Sequence, residues 1–212
     1  NHTAAPYMLE SEELAEYKKA IRPLEDRRIR RSKRMLREAL AELIEECGFD
    51  GFSISDLTER AGLNRGTFYA HFSDKEDLLH SLEGEFFDDL KALREKINQI
   101  TLEEFISAVS NGVPPRVCVE MFEIISEHGT LICALLGSHG DAEFQARLRD
   151  RACTDIVRGV LYEKYTKEPT ALVEYYVSYY ASAMLGLIQR WVQRDMQEDP
   201  EEMAKILITI MF

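Results

Sequence analysis

Two short helices joined by a tight turn constrain the fold of this chain more than any other feature of its sequence. Ser55 can cap the first helix, and Gly62 supplies the left-handed backbone conformation that ends a helix. Asn64 can cap the second helix, in which Phe68 and Phe72 are spaced so that both lie on one side. The pattern therefore predicts a helix-turn-helix packed on an aromatic core.

The second of these helices carries polar groups on the side away from its two phenylalanines. A guanidinium, a hydroxyl, a phenol and an imidazole can meet base edges and phosphates, and a DNA major groove admits a helix of this size. Lys75 opposes the dipole at the start of the next helix, so a phosphate contact would compensate its charge. Two alternatives stay open, because His71 can cap a helix end and Ser53 and Ser55 can act as caps alone. The candidate DNA-binding residues of this region are Ser53, Ser55, Asn64, Arg65, Gly66, Thr67, Tyr69, His71 and Lys75.

The net charge of −12 is unusual for a protein that binds DNA, but the charge is unevenly distributed. Residues 27–75 hold ten Lys or Arg and eight Asp or Glu, so the acidic excess lies outside them. Seven of these basic residues fall within 27–37, where there is no acid. A basic segment next to a helix-turn-helix is expected when one end of a molecule meets phosphates, although a solvated helix end is the alternative. We select Arg27, Arg28 and Arg31 as candidate phosphate contacts.

The region from about residue 28 to residue 80 resembles the tetracycline-repressor (TetR) family of bacterial transcription regulators. The resemblance is carried by the runs Ala61-Gly62-Leu63, Gly66-Thr67-Phe68-Tyr69-Ala70-His71-Phe72 and Lys75-Glu76-Asp77-Leu78. It implies a cytoplasmic, homodimeric regulator, a repressor that binds a near-palindromic duplex operator and responds to a small molecule. The remaining two-thirds of the chain is similar to the family only in being helical.

Apolar residues recur at helical spacing along the chain, and no strand-like alternation is present, which predicts an all-α fold. Pro23 is expected to separate an N-terminal extension from the first helix of the head. A capping box at Ser73–Glu76 is expected to start a helix that runs to about Ile97, ~36 Å long at 1.5 Å per residue. We divide the chain into an extension (1–26), a helix-turn-helix DNA-binding head (27–74) and a helical effector-binding and dimerisation body (75–212).

The last long helix has two faces that can pack against other helices, and the final helix is also apolar. One face forms a continuous apolar stripe, and family members dimerise through their last two long helices, so the resemblance assigns this stripe to a dimer interface. The alternative is that both faces belong to the core of a single chain. The predicted interface residues are Val173, Val177, Tyr180, Met184, Leu187, Trp191, Ile206 and Ile210.

The resemblance also implies an effector site inside the body, bounded by the long connecting helix and the helices after it. Ordinary core packing is the alternative for every residue that we assign to this site. The candidate effector residues are Phe86, Phe105, Met121, Phe122, Ile125, Tyr175 and Tyr179.

Other functions have little support in the sequence. No phosphate-binding glycine loop and no nucleophile–base pair suggests an enzyme, and we expect no cofactor. The four cysteines are widely separated, which favours a reducing compartment, and we attribute the proximity of His128, Cys133 and His139 to chance rather than to a metal site. No apolar run reaches the ~18 residues of a membrane helix. The competing functions are a helical small-molecule-binding protein or enzyme with an incidental helix-turn-helix, and a scaffold that acts without DNA.

Overall fold

The computed structural model describes the backbone of residues 6–159 and 171–211, and the side chains of residues 27–101, 103–159 and 171–210. Every regular element within these residues is a helix, so the prediction of an all-α fold is confirmed. The elements form a small N-terminal head and a larger helical body, with one long helix shared between them.

The first helix, α1, runs from Pro6 to Cys47 without interruption. The prediction that Pro23 separates two elements is therefore wrong. A proline removes one backbone hydrogen bond from a helix, and here the residues around it are mostly strong helix formers. Gly48, with a φ of 75°, follows the last residue of α1, and its amide donates to the carbonyl of Ile44 at 2.9 Å. The proposed boundary at residue 26 thus falls inside a helix and remains a division by composition.

Three short elements follow α1 and complete the head. They are a 3₁₀ turn (Phe49–Gly51), α2 (Ile54–Arg60) and α3 (Arg65–Tyr69). The 3₁₀ turn and α2 both pack on α1, and α3 packs on α2. Their shared core is apolar and fully enclosed, and it consists of Leu36, Leu40, Ile44, Phe52, Leu57, Phe68 and Phe72.

The long helix α4 (Lys75–Gln99) joins the head to the body. Its N-cap is Asp74, whose carboxylate accepts from the amide of Asp77 at 2.7 Å. The cap thus lies one residue later than predicted, because the Asp77 carboxylate accepts from the amide of Ser73 at 2.9 Å and draws that residue out of the helix. Apolar residues at helical spacing, from Leu78 to Ile97, face the core, as the sequence predicts.

The body is built around α4. Its other elements are α5 (Leu102–Ser110), α6 (Arg116–Glu127), α7 (Gly129–Leu136), α8 (Ala142–Arg147), a π-helical segment (Leu148–Cys153), α9 (Thr154–Val157), α10 (Ala171–Gln193) and α11 (Pro200–Met211). Helix α6 packs on both α4 and the C-terminal helix α11, while α7 packs on α1 of the head. The π-helical segment packs on α10, as does α9, the short helix that follows it.

The apolar stripe of α10 faces the core of its own chain. Val177, Met184 and Trp191 are between 2% and 4% exposed, and the indole ring of Trp191 packs edge-on against Phe122. The assignment of these three residues to a dimer interface is therefore wrong, because side chains that are already buried in one chain offer no surface to a second. The other predicted interface residues that pack against the core are Val173, Tyr180, Leu187 and Ile206, whereas Ile210 is exposed.

The opposite face of α10 is exposed and rich in tyrosine. Tyr175, Tyr176 and Tyr179 expose 76%, 52% and 69% of their surface, and Leu172 is similarly exposed. The small residues Ala183 and Gly186 continue this face toward the C-terminal end of the helix. Both faces of α10 are thus usable for packing, but the tyrosine face is the one left open.

Candidate nucleic-acid interface

The start of α2 is fixed by Ser53. Its hydroxyl accepts from the amide of Asp56 at 3.2 Å, and the Asp56 carboxylate accepts from the amide of Ser53 at 2.8 Å. The Ser53 hydrogen bonds also lower the pKa of Asp56. This is a reciprocal capping box, so the cap is Ser53, and the prediction that Ser55 caps the helix is wrong. Ser55 lies one position inside the helix and is half-buried.

The turn between α2 and α3 has the predicted geometry. Gly62 has a φ of 64°, in the left-handed region that favours glycine, and the amide of Leu63 closes the turn on the carbonyl of Thr58 at 2.9 Å. Asn64 caps α3, because its side-chain oxygen accepts from the amide of Thr67 at 2.7 Å. The same oxygen accepts from the Thr67 hydroxyl at 3.0 Å, so Asn64 and Thr67 are partly committed to each other.

The two sides of α3 differ sharply in exposure. Phe68 is completely buried beneath the helix, and the edge of its ring meets Tyr69, with the ring centroids 5.4 Å apart. Tyr69 itself is 56% exposed, and Arg65 is also exposed. A Cβ at Gly66 would lie 3.2 Å from the capping oxygen of Asn64, which gives this glycine a structural role in addition to any contact with DNA. The remaining candidates on this side, Thr67 and His71, are half-buried.

Lys75 differs from the prediction, because its ammonium group points into the head. Its Nζ donates to the backbone carbonyls of Phe49 at 2.8 Å and Phe52 at 2.6 Å, and it lies over both of their rings. Lys75 thus gives both carbonyls a charged donor from the start of α4. We therefore remove Lys75 from the DNA-binding surface and give it the role of a tie between α4 and the 3₁₀ turn.

The basic segment of α1 divides into residues that are used within the protein and residues that face outward. Arg37 pairs with Glu85 of α4, and Lys33 lies 5.9 Å from the ring centroid of Phe72. Arg27, Arg28 and Arg31 are exposed, as a contact with phosphates requires. All three selected arginines thus lie on the outward part of the segment, which also includes Arg30 and Arg34.

Arg60, at the end of α2, is a structural residue that the sequence did not reveal. Its guanidinium donates to Glu42 at 3.1 Å and to Glu46 at 2.8 Å, and both acids lie on one face of α1. The hydrogen bond from Arg60 lowers the pKa of Glu46. The two glutamates at an i, i+4 spacing are a signal for such a partner, but the spacing does not say which cation will meet them.

The predicted effector residues do not form one site. Phe86, Phe105, Met121, Phe122 and Ile125 are buried in the body, but Tyr175 and Tyr179 lie on the exposed face of α10. The assignment of these two tyrosines to an internal site is therefore wrong.

Two cavities lie elsewhere in the described part of the chain, and neither is lined by a predicted effector residue. A cleft of about 570 Å³ separates the head from the loop after α7, and Glu83 and Arg147 are among its lining residues. A second cavity of about 260 Å³ lies between α4 and the π-helical segment.

His128, Cys133 and His139, whose proximity in the sequence we attributed to chance, have separate surroundings in the fold. His128 bonds to Asp89 at 2.8 Å, and His139 bonds to the carbonyl of Glu45 at 2.8 Å. Burial raises the pKa of the Cys133 thiol. In the described residues, no group of three or more His, Cys, Asp or Glu side chains could hold a metal ion. The described helices also include none that is long and apolar enough to span a bilayer.

Comparison with known protein families gives two matches that together span most of the chain. Residues 36–82 match the model of bacterial regulatory proteins of the tetR family, and residues 114–212 match a transcriptional regulator C-terminal region of the same group. The first range covers the end of α1, the helix-turn-helix and the start of α4. The second covers the body from the loop before α6 onward.

Curated relatives and solved structures are also similar to the chain. The uncharacterized HTH-type transcriptional regulator YxbF of Bacillus subtilis is 32% identical over 123 residues, which are 47% of this chain and 32% of that protein. The chain thus matches about a third of the length of this relative.

The solved structures share the fold over nearly their whole length. A TetR regulator from Streptococcus agalactiae has a TM-score of 0.55 and 21% identity, over 88% of this chain and 97% of its own. The TetR family regulator PfmR from Thermus thermophilus has a TM-score of 0.55 and 23% identity, over 84% of this chain and 92% of its own. Matches to both the head and the body therefore agree with the geometry described above, and the chain belongs to the TetR family of transcriptional regulators.

Proposed function

We propose that this protein is a homodimeric transcriptional repressor that binds a near-palindromic DNA operator and is released from it by a small molecule. The observation that carries the proposal is the exposed side of α3. Arg65 and Tyr69 face outward from a helix whose other side is fixed by the buried Phe68. Asn64 caps the start of this short helix, and an exposed phenol and guanidinium on it suit contacts with base edges.

The exposed arginines of α1 supply the second part of the DNA-binding surface. Arg27, Arg28 and Arg31 lie on α1, the helix on which the 3₁₀ turn and α2 of the head pack. Phosphate contacts from such residues add affinity that does not depend on sequence, and they orient the helix that reads the bases.

A dimer is needed because one helix reads only a few base pairs. Two α3 helices related by a two-fold axis would enter successive major grooves about 34–36 Å apart, or a multiple of that distance. The tyrosine face of α10 supports this assembly, because Tyr175 and Tyr179 form an apolar surface left open in a single chain. The exposed Ile210 of α11 extends the apolar surface at the C-terminus.

A small molecule would act by favouring one spacing of the two heads over another. We propose that it binds within the aromatic and aliphatic core of the body, to which the buried residues Phe86, Phe122 and Ile125 belong. A coupling of ~1–3 kcal/mol between the two sites is sufficient to change operator occupancy by a large factor.

The phosphate-binding surface can be tested by the salt dependence of DNA binding. We expect replacement of Arg27, Arg28 and Arg31 by Gln to weaken binding to every duplex and to reduce the slope of log K against log salt by about one per lost contact. The control variant replaces three exposed residues of the body, Lys91, Arg151 and Arg190, by Gln. It therefore removes the same charge from a different part of the protein. Equal slopes in the two variants would remove the α1 arginines from the interface.

Base recognition can be tested with a duplex selected from a randomised pool. We expect Tyr69→Ala and Arg65→Ala to bind this duplex more weakly than the parent protein, with a loss of ~1–3 kcal/mol of discrimination at one base position. The thermal midpoint should stay nearly constant, since both side chains are exposed. Full retention of selectivity in both variants would contradict a role for α3 in reading bases.

A further inference from the structure

Two buried polar side chains lie where α4 meets the body. The described residues that are both buried and polar include Glu83 of α4 and His128, which lies between α6 and α7. Burying such groups is unfavourable unless they are paired, so their partners show where the protein is held together by directional contacts.

Glu83 is paired with Arg147 of α8. Both carboxylate oxygens of Glu83 accept from one guanidinium nitrogen of Arg147, at 2.8 and 2.7 Å, and the Glu83 side chain is only 5% exposed. Burial raises the pKa of Glu83, and the guanidinium opposes this effect. Arg147 also contacts Glu143 of its own helix at 2.9 Å.

His128 is paired with Asp89 of α4. Its Nε2 lies 2.8 Å from a carboxylate oxygen of Asp89, and its ring meets the ring of Phe86 with centroids 5.4 Å apart. The side chain of His128 is 8% exposed, whereas that of Asp89 is 52% exposed. The histidine is thus packed in the body, and its bond reaches outward to the long helix.

The two contacts hold α4 at different positions along its axis and from different directions around it. Glu83 and Asp89 are six residues apart, which is ~9 Å along the helix axis and ~120° around it. A single contact leaves a helix free to rotate about its axis or to tilt, but two contacts so arranged restrict both movements. In the sequence, His128 comes directly before α7 and Arg147 comes after it. Helix α7 is the helix that packs on α1 of the head.

We propose that the Glu83–Arg147 and Asp89–His128 contacts are positioning interactions that fix the angle at which α4 carries the head in the operator-binding form. The inference rests on the proposed function, since the angle of α4 sets the spacing of two heads in a dimer. None of these four residues lies on α3 or touches the candidate DNA surface. Their effect on DNA therefore passes through the orientation of α4, and it should appear only when two half-sites must be occupied together.

The test removes both contacts without leaving a charge buried. The variant Glu83→Leu/Arg147→Met/Asp89→Ala replaces the buried pair by apolar side chains, which proteins commonly tolerate. The control variant Arg158→Met/Glu174→Leu removes an exposed ion pair of 2.6 Å inside the body. Spin labels on the exposed Cys47, with Cys118 and Cys133 replaced by alanine in every protein, report the distance between the two heads.

We expect the variant to broaden the distribution of inter-head distances and to bind a selected palindromic duplex about tenfold more weakly, within the range of common allosteric couplings. Its affinity for the isolated half-site should be unchanged, and the control variant should match the parent protein in every measurement. An unchanged distance distribution, or an equal loss of affinity for the half-site, would overturn the proposal.

The distance measurement also separates this proposal from the proposed function. If the parent protein selects no duplex at all, the proposed function fails. In that case a broadened distance distribution still supports the positioning role of the two contacts, and an unchanged distribution rejects it.

Discussion

Lys75 illustrates how the surroundings of a single residue change its predicted role. The sequence placed a positive charge at the start of a helix, where it is unfavourable, and an external phosphate was a reasonable partner. In the folded chain, the charge meets two carbonyls and two aromatic rings of the 3₁₀ turn instead. No local pattern shows this, because the turn lies more than twenty residues earlier in the chain.

We therefore expect Lys75→Met to lower the free energy of unfolding by ~1.5–3 kcal/mol, the usual value for hydrogen bonds to a charged group. Chemical denaturation measures this loss. Lys91→Met, at an exposed position of the same helix, is the control and should change stability by less than ~0.5 kcal/mol. If Lys75→Met keeps its stability and instead lowers the salt slope of DNA binding by about one, then the original assignment to a phosphate is correct.

At the scale of elements, the sequence predicted the existence of the helices better than their ends. The periodic apolar residues of α4 are a local signal, and the helix lies within two residues of its predicted bounds. Helix ends depend on a choice between neighbouring polar residues. Ser53 and Ser55 can both cap a helix, and the choice of Ser53 follows from its reciprocal bond with Asp56.

The corrected cap of α2 gives a matched pair of variants. We expect Ser53→Ala to destabilise the protein by ~1 kcal/mol, the typical cost of losing a side-chain cap. Ser55→Ala should have an effect of less than ~0.5 kcal/mol, because this side chain makes no cap in the folded protein. Thermal or chemical unfolding of the two variants measures the difference. A larger loss of stability for Ser55→Ala would show that Ser55 caps α2, as first predicted.

For the whole molecule, the sequence identified two apolar faces on α10 but not which of them the chain itself buries. Along α10, the stripe through Val177 and Met184 and the side through Tyr175 and Tyr179 are both apolar at helical spacing. Periodicity predicts that a face will be buried, but not whether the same chain or a second chain covers it. The π-helical segment, α7 and α9 pack on α10 and determine which face is covered, and their positions depend on contacts between residues distant in sequence. The same limit applies to the candidate effector residues, since a buried phenylalanine has the same pattern in a core and in a ligand site.

We therefore expect opposite effects when a charge is introduced on the two faces of α10. Tyr175→Glu/Tyr179→Glu changes side chains that are mostly exposed in one chain, so each chain should keep its fold and thermal midpoint. In a two-fold dimer these substitutions bring four like charges into one desolvated surface, which should separate the chains. Sedimentation velocity should show a monomer that still binds an isolated half-site but no longer binds the palindromic duplex tightly.

Val177→Glu is the matched control on the inner face of α10. This side chain is 2% exposed, so an unpaired carboxylate would be buried in the core and should unfold the chain rather than only dissociate it. Circular dichroism distinguishes the two outcomes. A tyrosine variant that remains dimeric, or a Val177→Glu variant that is folded and monomeric, would return the interface to the stripe first predicted.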